Sequence, residues 1–349
     1  MLKLRCAFAL VVLGGLVCVT EASLIDDAIV RAGDRLVADQ GGNGSWQGAG
    51  GFAGAIVAGL VNGYELTGTA SYQTAAEAGG NFILDITAYG TGSFLGFLGD
   101  EAYGLTRLSD ASANPASNNW RTSVNNFYSP FNSAGVSAYV DSMLTFYGEE
   151  STPLFYVAQH ALASNYVNNA NKGDWRQSVI ELLAGVDDSD SYPVMSFATA
   201  VWALAQTGNG LDATVVSATG DWAGVQLQDL PGMLAGHQVA SGTFADSFYW
   251  NLGHTTGGAS YDSGYSEDTI YGILGLEAAG GYDAEVLSAR QVLASGVDIN
   301  GDVYDHIWYP SSFNYAYTGE TLQALPEPTI LGMLGVGTLL MHRRRRRQP

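Results

Sequence analysis

Residues 192–206 constrain the fold more than any other stretch of the chain. Val194, Met195, Phe197, Ala198, Val201, Trp202, Leu204 and Ala205 make the segment apolar nearly all round. A helix with no polar face must be wrapped by neighbours, so the pattern predicts a buried inner helix. Pro193 suits its first turn, and Gly208 suits a stop just beyond its end. Other segments are helical in period. Residues 24–38 place Leu24, Ile25, Ala28, Ile29, Ala32 and Leu36 at helical intervals. Residues 266–279 open at Ser266 with Glu267 and Asp268 in the first turn, where acids suit the positive end of the helix dipole. Ile270, Ile273 and Leu274 mark one face there, and Gly280-Gly281 ends the run. A further helix is predicted over 283–296, and links this short imply antiparallel neighbours. His160 falls in a helix around Leu154 to Tyr166 and reads as structural. Strand signals are few. Residues 297–304 alternate around Asn300-Gly301, which predicts a hairpin. Asp298, Asn300, Asp302 and Asp305 loosely suggest a calcium loop, but the glycine falls one place too early for that pattern.

A motif recurs between these helices. Gln40, Gly44 and Trp46 fit Gln-x-x-x-Gly-x-Trp, and degenerate versions occur at Gly173-Asp174-Trp175, Gly220-Asp221-Trp222 and Gly264-Tyr265-Ser266. The third positions lie at 46, 175, 222 and 266. The later spacings are 47 and 44, and the first, 129, is about three units of 43, a period typical of helix-pair arrays. These residues resemble the QW repeat of squalene cyclases and protein prenyltransferases. The resemblance implies an all-α, α/α toroid of inner and outer helices, with a minor β-hairpin in this chain. It makes Gln40 a capping residue and Trp46 a stacking one, both structural. It does not carry the family's chemistry. Asp187-Asp188-Ser189-Asp190 has the wrong order for the cyclase Asp-x-Asp-Asp acid and reads as local capping before a helix. The cysteine of the prenyltransferase zinc site has no counterpart.

The two ends read as targeting segments. Lys3 and Arg5 precede an apolar run from Cys6 to Val19, and Ala22 and Ser23 are small, as in a secretory signal peptide over 1–22. At the other end, Pro326-Glu327-Pro328 is followed by a short Gly/Leu-rich apolar run and by Arg343, Arg344, Arg345, Arg346 and Arg347. The run is short against the roughly 20 residues of a full span, and its arginines belong on the cytoplasmic side. This tail, 326–349, resembles the PEP-CTERM sorting signal of bacterial exported proteins. The resemblance implies export by the Sec machinery, a transient inner-membrane anchor through a transmembrane helix, processing by an exosortase near Pro-Glu-Pro, and a cell-surface or extracellular destination beside exopolysaccharide. A plain tail anchor is the other reading.

Between these ends, 23–325 is predicted to be one toroid domain. Of the 14 Lys+Arg, two lie in the first segment and five in the last, leaving 7; of the 34 Asp+Glu, Glu21 and Glu327 leave with the ends, so 32 remain and the body carries 7 − 32 = −25. That charge excludes nucleic acid as a partner, since binding it means neutralising phosphates. Both cysteines, Cys6 and Cys18, fall in the signal segment. The body therefore has no disulfide or thiolate, and no cofactor or metal is predicted. The long loop 242–265 carries Phe244, Phe248, Tyr249, Trp250, Tyr261 and Tyr265, aromatics suited to stacking on sugar rings. Candidate acid/base residues are Glu267, Asp268, Tyr271, His237 and His254, though no spacing fixes a catalytic pair. The sequence reading puts first a non-catalytic, polysaccharide-associated envelope or extracellular-matrix protein. A secreted polysaccharide lyase or glycoside hydrolase comes second, and a terpenoid cyclase-like enzyme third.

Overall fold

The computed structural model describes residues 24–47, 52–88, 96–114, 116–253 and 263–325. The signal segment, the sorting tail with Pro326 to Arg347, His254 and Tyr261 lie outside the described residues. The chain is all-α. After α1 (24–38) come α2 (Ala53–Thr67), α3 (Ala70–Ala88), α4 (Gly99–Ala111), α5 (Ser117–Tyr128), α6 (Ser133–Tyr147), α7 (Ser151–Tyr166) and α8 (Lys172–Leu183). Then follow α9 (Pro193–Gln206), α10 (Leu230–Gly236), α11 (Ser266–Ala279), α12 (Asp283–Ser295) and α13 (Tyr315–Ala324), with a 3-10 turn at Leu227–Asp229. The described residues contain isolated β-bridges but no strand. No described helix is long and apolar enough to cross a membrane.

Burial patterns divide the helices into two kinds. α8 buries Trp175, Ser178, Val179, Leu182 and Leu183, a stripe at i, i+3, i+4, i+7, i+8 widened by Ile180. α12 does the same with Val286, Ala289, Arg290, Leu293 and Ala294. These helices cover others and face water. By contrast α2, α7, α9 and α11 are buried on every side along most of their length.

These four, with α4 and α13, pack on one another in a series that returns to its start. α2 packs on α4, α4 on α7, α7 on α9, α9 on α11, α11 on α13, and α13 on α2. Glycines set the spacing. A Cβ on Gly54 of α2 would land on the carbonyl of Asp100 in α4, and one on Gly59 would land on the carbonyl of Gly319 in α13. Only glycine lets the backbones meet this closely. The Asn62 amide of α2 also donates to the carbonyls of Leu322 and, at 3.3 Å, Leu325 beyond α13. All six helices contribute to one cavity of about 340 Å³, through Ala58 (α2), Tyr103 (α4), Tyr166 (α7), Trp202 (α9), Leu274 (α11) and Gln323 (α13).

The Asn300-Gly301 segment makes a tight turn but not the predicted hairpin. The Asp298 N–H donates to the Asp302 carbonyl at 3.1 Å, and Gly301 has φ +87°. The Asp298 carboxylate takes the N–H groups of Asn300 (2.8 Å) and Asp302 (2.9 Å), an Asx-type turn. The arms then diverge. Asp302 pairs with Arg35 of α1 at 2.7 Å, while Tyr304 forms an isolated bridge with Phe313. Bonds to α1 and to the following loop replace the ladder that the alternation suggested.

Candidate functional site

The packed series brings together acids far apart in the chain. Gly54, the second residue of α2, meets Asp100, the second residue of α4; Gly99, the first residue of α4, meets Tyr156 near the start of α7. These helices therefore run side by side in the same direction, with their N-terminal ends together. Asp100 and Glu101 occupy the first turn of α4, and Glu267 and Asp268 the first turn of α11. Glu320 comes in from α13 and accepts the Tyr271 hydroxyl at 2.8 Å. Asp100, Glu101, Asp268 and Glu320 are buried, while Glu267 keeps a partial face to solvent.

Burial and crowding hold protons on this group. Burial, and then the charge of Asp305, push the Glu267 carboxyl up to about 7. Asp268 rises through burial and the charge of Glu267, against a backbone hydrogen bond from Met195. Glu320 rises through burial and the charge of Glu267, with Asp100 adding to it and the Tyr271 hydroxyl partly offsetting it. Its other oxygen has no hydrogen-bond partner among the described residues. Asp100 rises by burial; the backbone N–H groups of Glu101, Ala55 and Asp100 face it and soften the rise, but none reaches hydrogen-bonding geometry. Glu101 rises by burial and by the charge of Asp100, although it accepts the Leu98 N–H at 2.9 Å.

Asp305 is opposite in character. Burial would raise it, but its donors outweigh burial and hold it below the usual carboxylate range. Ser311 Oγ donates at 2.6 Å, Ser312 N–H at 3.0 Å, Ser311 N–H at 3.1 Å and its neighbour His306 N–H at 3.0 Å. Glu267, which keeps its proton up to about pH 7, therefore shares the start of α11 with an ionised Asp305, whose carbonyl accepts the Ser266 N–H at 2.9 Å. Tyrosines surround the pair. The charge of Glu267 acts on exposed Tyr192 and half-buried Tyr317, whose hydroxyls are raised first by burial. Trp250 packs on Tyr265 at 5.1 Å, with its indole N–H on the Ser191 carbonyl at 2.9 Å.

No basic side chain offsets the rise at these carboxylates. Six of the seven cations of the body are engaged elsewhere. Arg35 pairs with Asp39 and Asp302, Arg107 with Glu65, Arg121 with Asp110 and Arg290 with Glu277. Arg176 donates to the Thr207 and Gly210 carbonyls, and Lys172 to Asn168. Among the described residues, no group of three or more His, Cys, Asp or Glu side chains is arranged to hold a metal ion.

Of the residues singled out by sequence, Glu267, Asp268 and Tyr271 are brought together, and His237 is not. His237 follows α10 and lines a cavity to which none of those three contributes. His160 is locked between Tyr128 (2.9 Å) and Tyr139 (3.1 Å), and burial lowers it to about 3, which fits a neutral structural imidazole. Phe244, Phe248 and Tyr249 are buried rather than presented to a ligand. The repeat residues do structural work. Gln40 donates to the carbonyls of Ala75 (2.8 Å) and Gly44 (3.1 Å), and Trp46 to that of Leu36 near the end of α1 (2.8 Å). Trp222 repeats the arrangement on Val186, just past α8, at 2.9 Å. Gly44 and Gly220 have φ of +84° and +75°. Gly173 and Trp175 lie within α8 itself, with the Trp175 ring 4.8 Å from that of His160. Asp187 caps its own turn, accepting the Ser189 N–H at 2.7 Å. Asp100, Glu101 and Glu320 went unnoticed in the sequence. The available signals were a Gly-Asp-Glu start to a helix and one acid inside an otherwise uncharged helix. Compared with known proteins, the chain matches no family model, no curated protein and no solved structure.

Proposed function

We propose that this protein is an exported glycoside hydrolase whose acid is Glu267, built on an α/α toroid. The closed series of six helices, all lining one cavity, supports the toroid reading. The observation that carries the function is the pairing, at one end of that series, of a solvent-touched, proton-holding Glu267 with an ionised Asp305. Two carboxyls pushed apart, one up to about 7 and the other below the usual carboxylate range, are what glycosidic cleavage uses. Glu267 gives its proton to the glycosidic oxygen as the C1–O bond breaks. The fixed charge of Asp305 stabilises the positive charge that builds on the sugar ring. Water then adds at C1, and the proton it releases restores Glu267. Tyr192, Tyr317 and the Trp250–Tyr265 pair offer ring faces for flanking sugars.

Hydrolysis is favoured over lyase chemistry by charge. A lyase must neutralise a uronate carboxylate to acidify its neighbouring C–H, and this site gathers acids with no lysine or arginine among them. The substrate is accordingly a neutral glycan. The signal segment and the Pro326-Glu327-Pro328 tail complete the proposal: the enzyme is exported, sorted through an exosortase and delivered to the polysaccharide outside the cell. The non-catalytic matrix reading predicts glycan binding without products. The test is product formation from neutral polysaccharides by the wild type and by Glu267→Gln. Products that persist undiminished in the variant remove Glu267 from the mechanism.

A further inference from the structure

A second cavity, of about 500 Å³, lies apart from the carboxylate cluster and shares no residue with it. Its walls are apolar, with Val186, Trp222 and Leu252 among them, and Asp187, Asp188 and Asp221 stand on its rim. No lysine or arginine lines it. The Trp222 ring is fixed by its N–H bond to Val186 and by packing on Phe197 at 5.3 Å. Asp188 is fixed too, both oxygens accepting the Gly253 N–H at 3.2 and 3.0 Å. His237 also lines the cavity. It is only 4% exposed, and its Nδ1 has no hydrogen-bond partner among the described residues. A buried, unpaired ring nitrogen is costly unless something outside the protein completes it. Burial keeps this imidazole neutral, lowering it to about 4 despite the opposing charge of Asp188.

These features specify one ligand chemistry. Clustered carboxylates without a counter-ion call for a cation. The apolar walls call for a hydrocarbon body. A neutral imidazole nitrogen without a donor calls for an N–H. We infer that this cavity binds a primary organic amine, its ammonium between Asp188 and His237 and its apolar part against Trp222 and Leu252. The site is independent of the proposed hydrolase reaction.

The test titrates the purified full chain by calorimetry with benzylamine, its neutral analogue benzyl alcohol, and benzyltrimethylammonium, which keeps the charge but has no N–H to donate. Benzylamine should bind at least tenfold more tightly than benzyl alcohol. It should weaken about fivefold in Asp188→Asn, the upper range for one partly exposed ion pair, and further in Asp188→Asn/Asp221→Asn. Its preference over benzyltrimethylammonium should disappear in His237→Phe, and the aspartate variants keep the inference testable if that variant fails to fold. Equal binding of benzyl alcohol, an affinity indifferent to both aspartates, no binding of benzylamine, or calcium or zinc taking the site in its place would each overturn the assignment. Glycan cleavage should be unchanged in Asp188→Asn, so failure of this inference and failure of the hydrolase proposal are distinguishable.

Discussion

Replacing Glu267 by Gln should change how stability depends on pH. The carboxyl titrates at its ordinary 4.5 in the unfolded chain and at about 7 in the folded one. The folded state holds the proton more tightly, so this group's contribution is complete below pH 4.5 and is lost as pH rises through 7. At about 1.4 kcal/mol per pH unit, the loss across that window is roughly 3 kcal/mol. Gln is close in shape and does not titrate. The difference in unfolding free energy between wild type and Glu267→Gln should therefore move by roughly 3 kcal/mol between pH 4.5 and pH 8, in favour of the variant at the alkaline end. The charge of Glu267 also raises Asp268 and Glu320, so removing it flattens the remaining dependence in the same direction. Urea melts of both proteins at half-unit steps from pH 4.5 to 8 measure this directly. Parallel curves would refute the claim that Glu267 holds its proton in the folded protein.

Three further outcomes follow from the same geometry. Glu267→Gln should lower the rate of glycan cleavage by about a hundredfold or more, and wild-type kcat/KM should fall above pH 7 as the acid loses its proton, both read from initial rates of product release. Gly59→Ala drives a Cβ into the Gly319 carbonyl where α2 meets α13, and should cost about 1–3 kcal/mol or more in a urea melt. Trp46→Phe keeps a buried ring but leaves the Leu36 carbonyl without its donor, a loss of about 1–3 kcal/mol measured the same way.

The sequence was most legible where local chemistry and burial agree. Residues 266–279 were bounded by Ser266 and by Gly280-Gly281, and α11 ends at those positions, with Gly280 at φ +74°. All-round apolarity marked 192–206 as an inner helix, and α9 is buried on every side. What could not be read is what depends on packing across the chain. Glu320 matters because α13 lies beside α11, where Tyr271, 49 residues earlier, donates to it. Asp100 joins them from much farther back along the chain. His237 and Glu267 were both candidate acid/base residues, yet the fold separates them: His237 lines a cavity that Glu267 does not. The alternation at 297–304 predicted a hairpin because alternation reports side-chain direction and not pairing partners; Arg35 and Phe313 supplied those partners instead.

The most direct test of the central claim is to incubate the purified protein with neutral, cationic and uronate-containing polysaccharides in ¹⁸O-labelled water and weigh the products. The account predicts shorter fragments of a neutral glycan, each cleavage adding one water with its label at the new reducing end, and none of them from Glu267→Gln. Fragments with unsaturated ends, or retention on the glycan without any fragment, would contradict it.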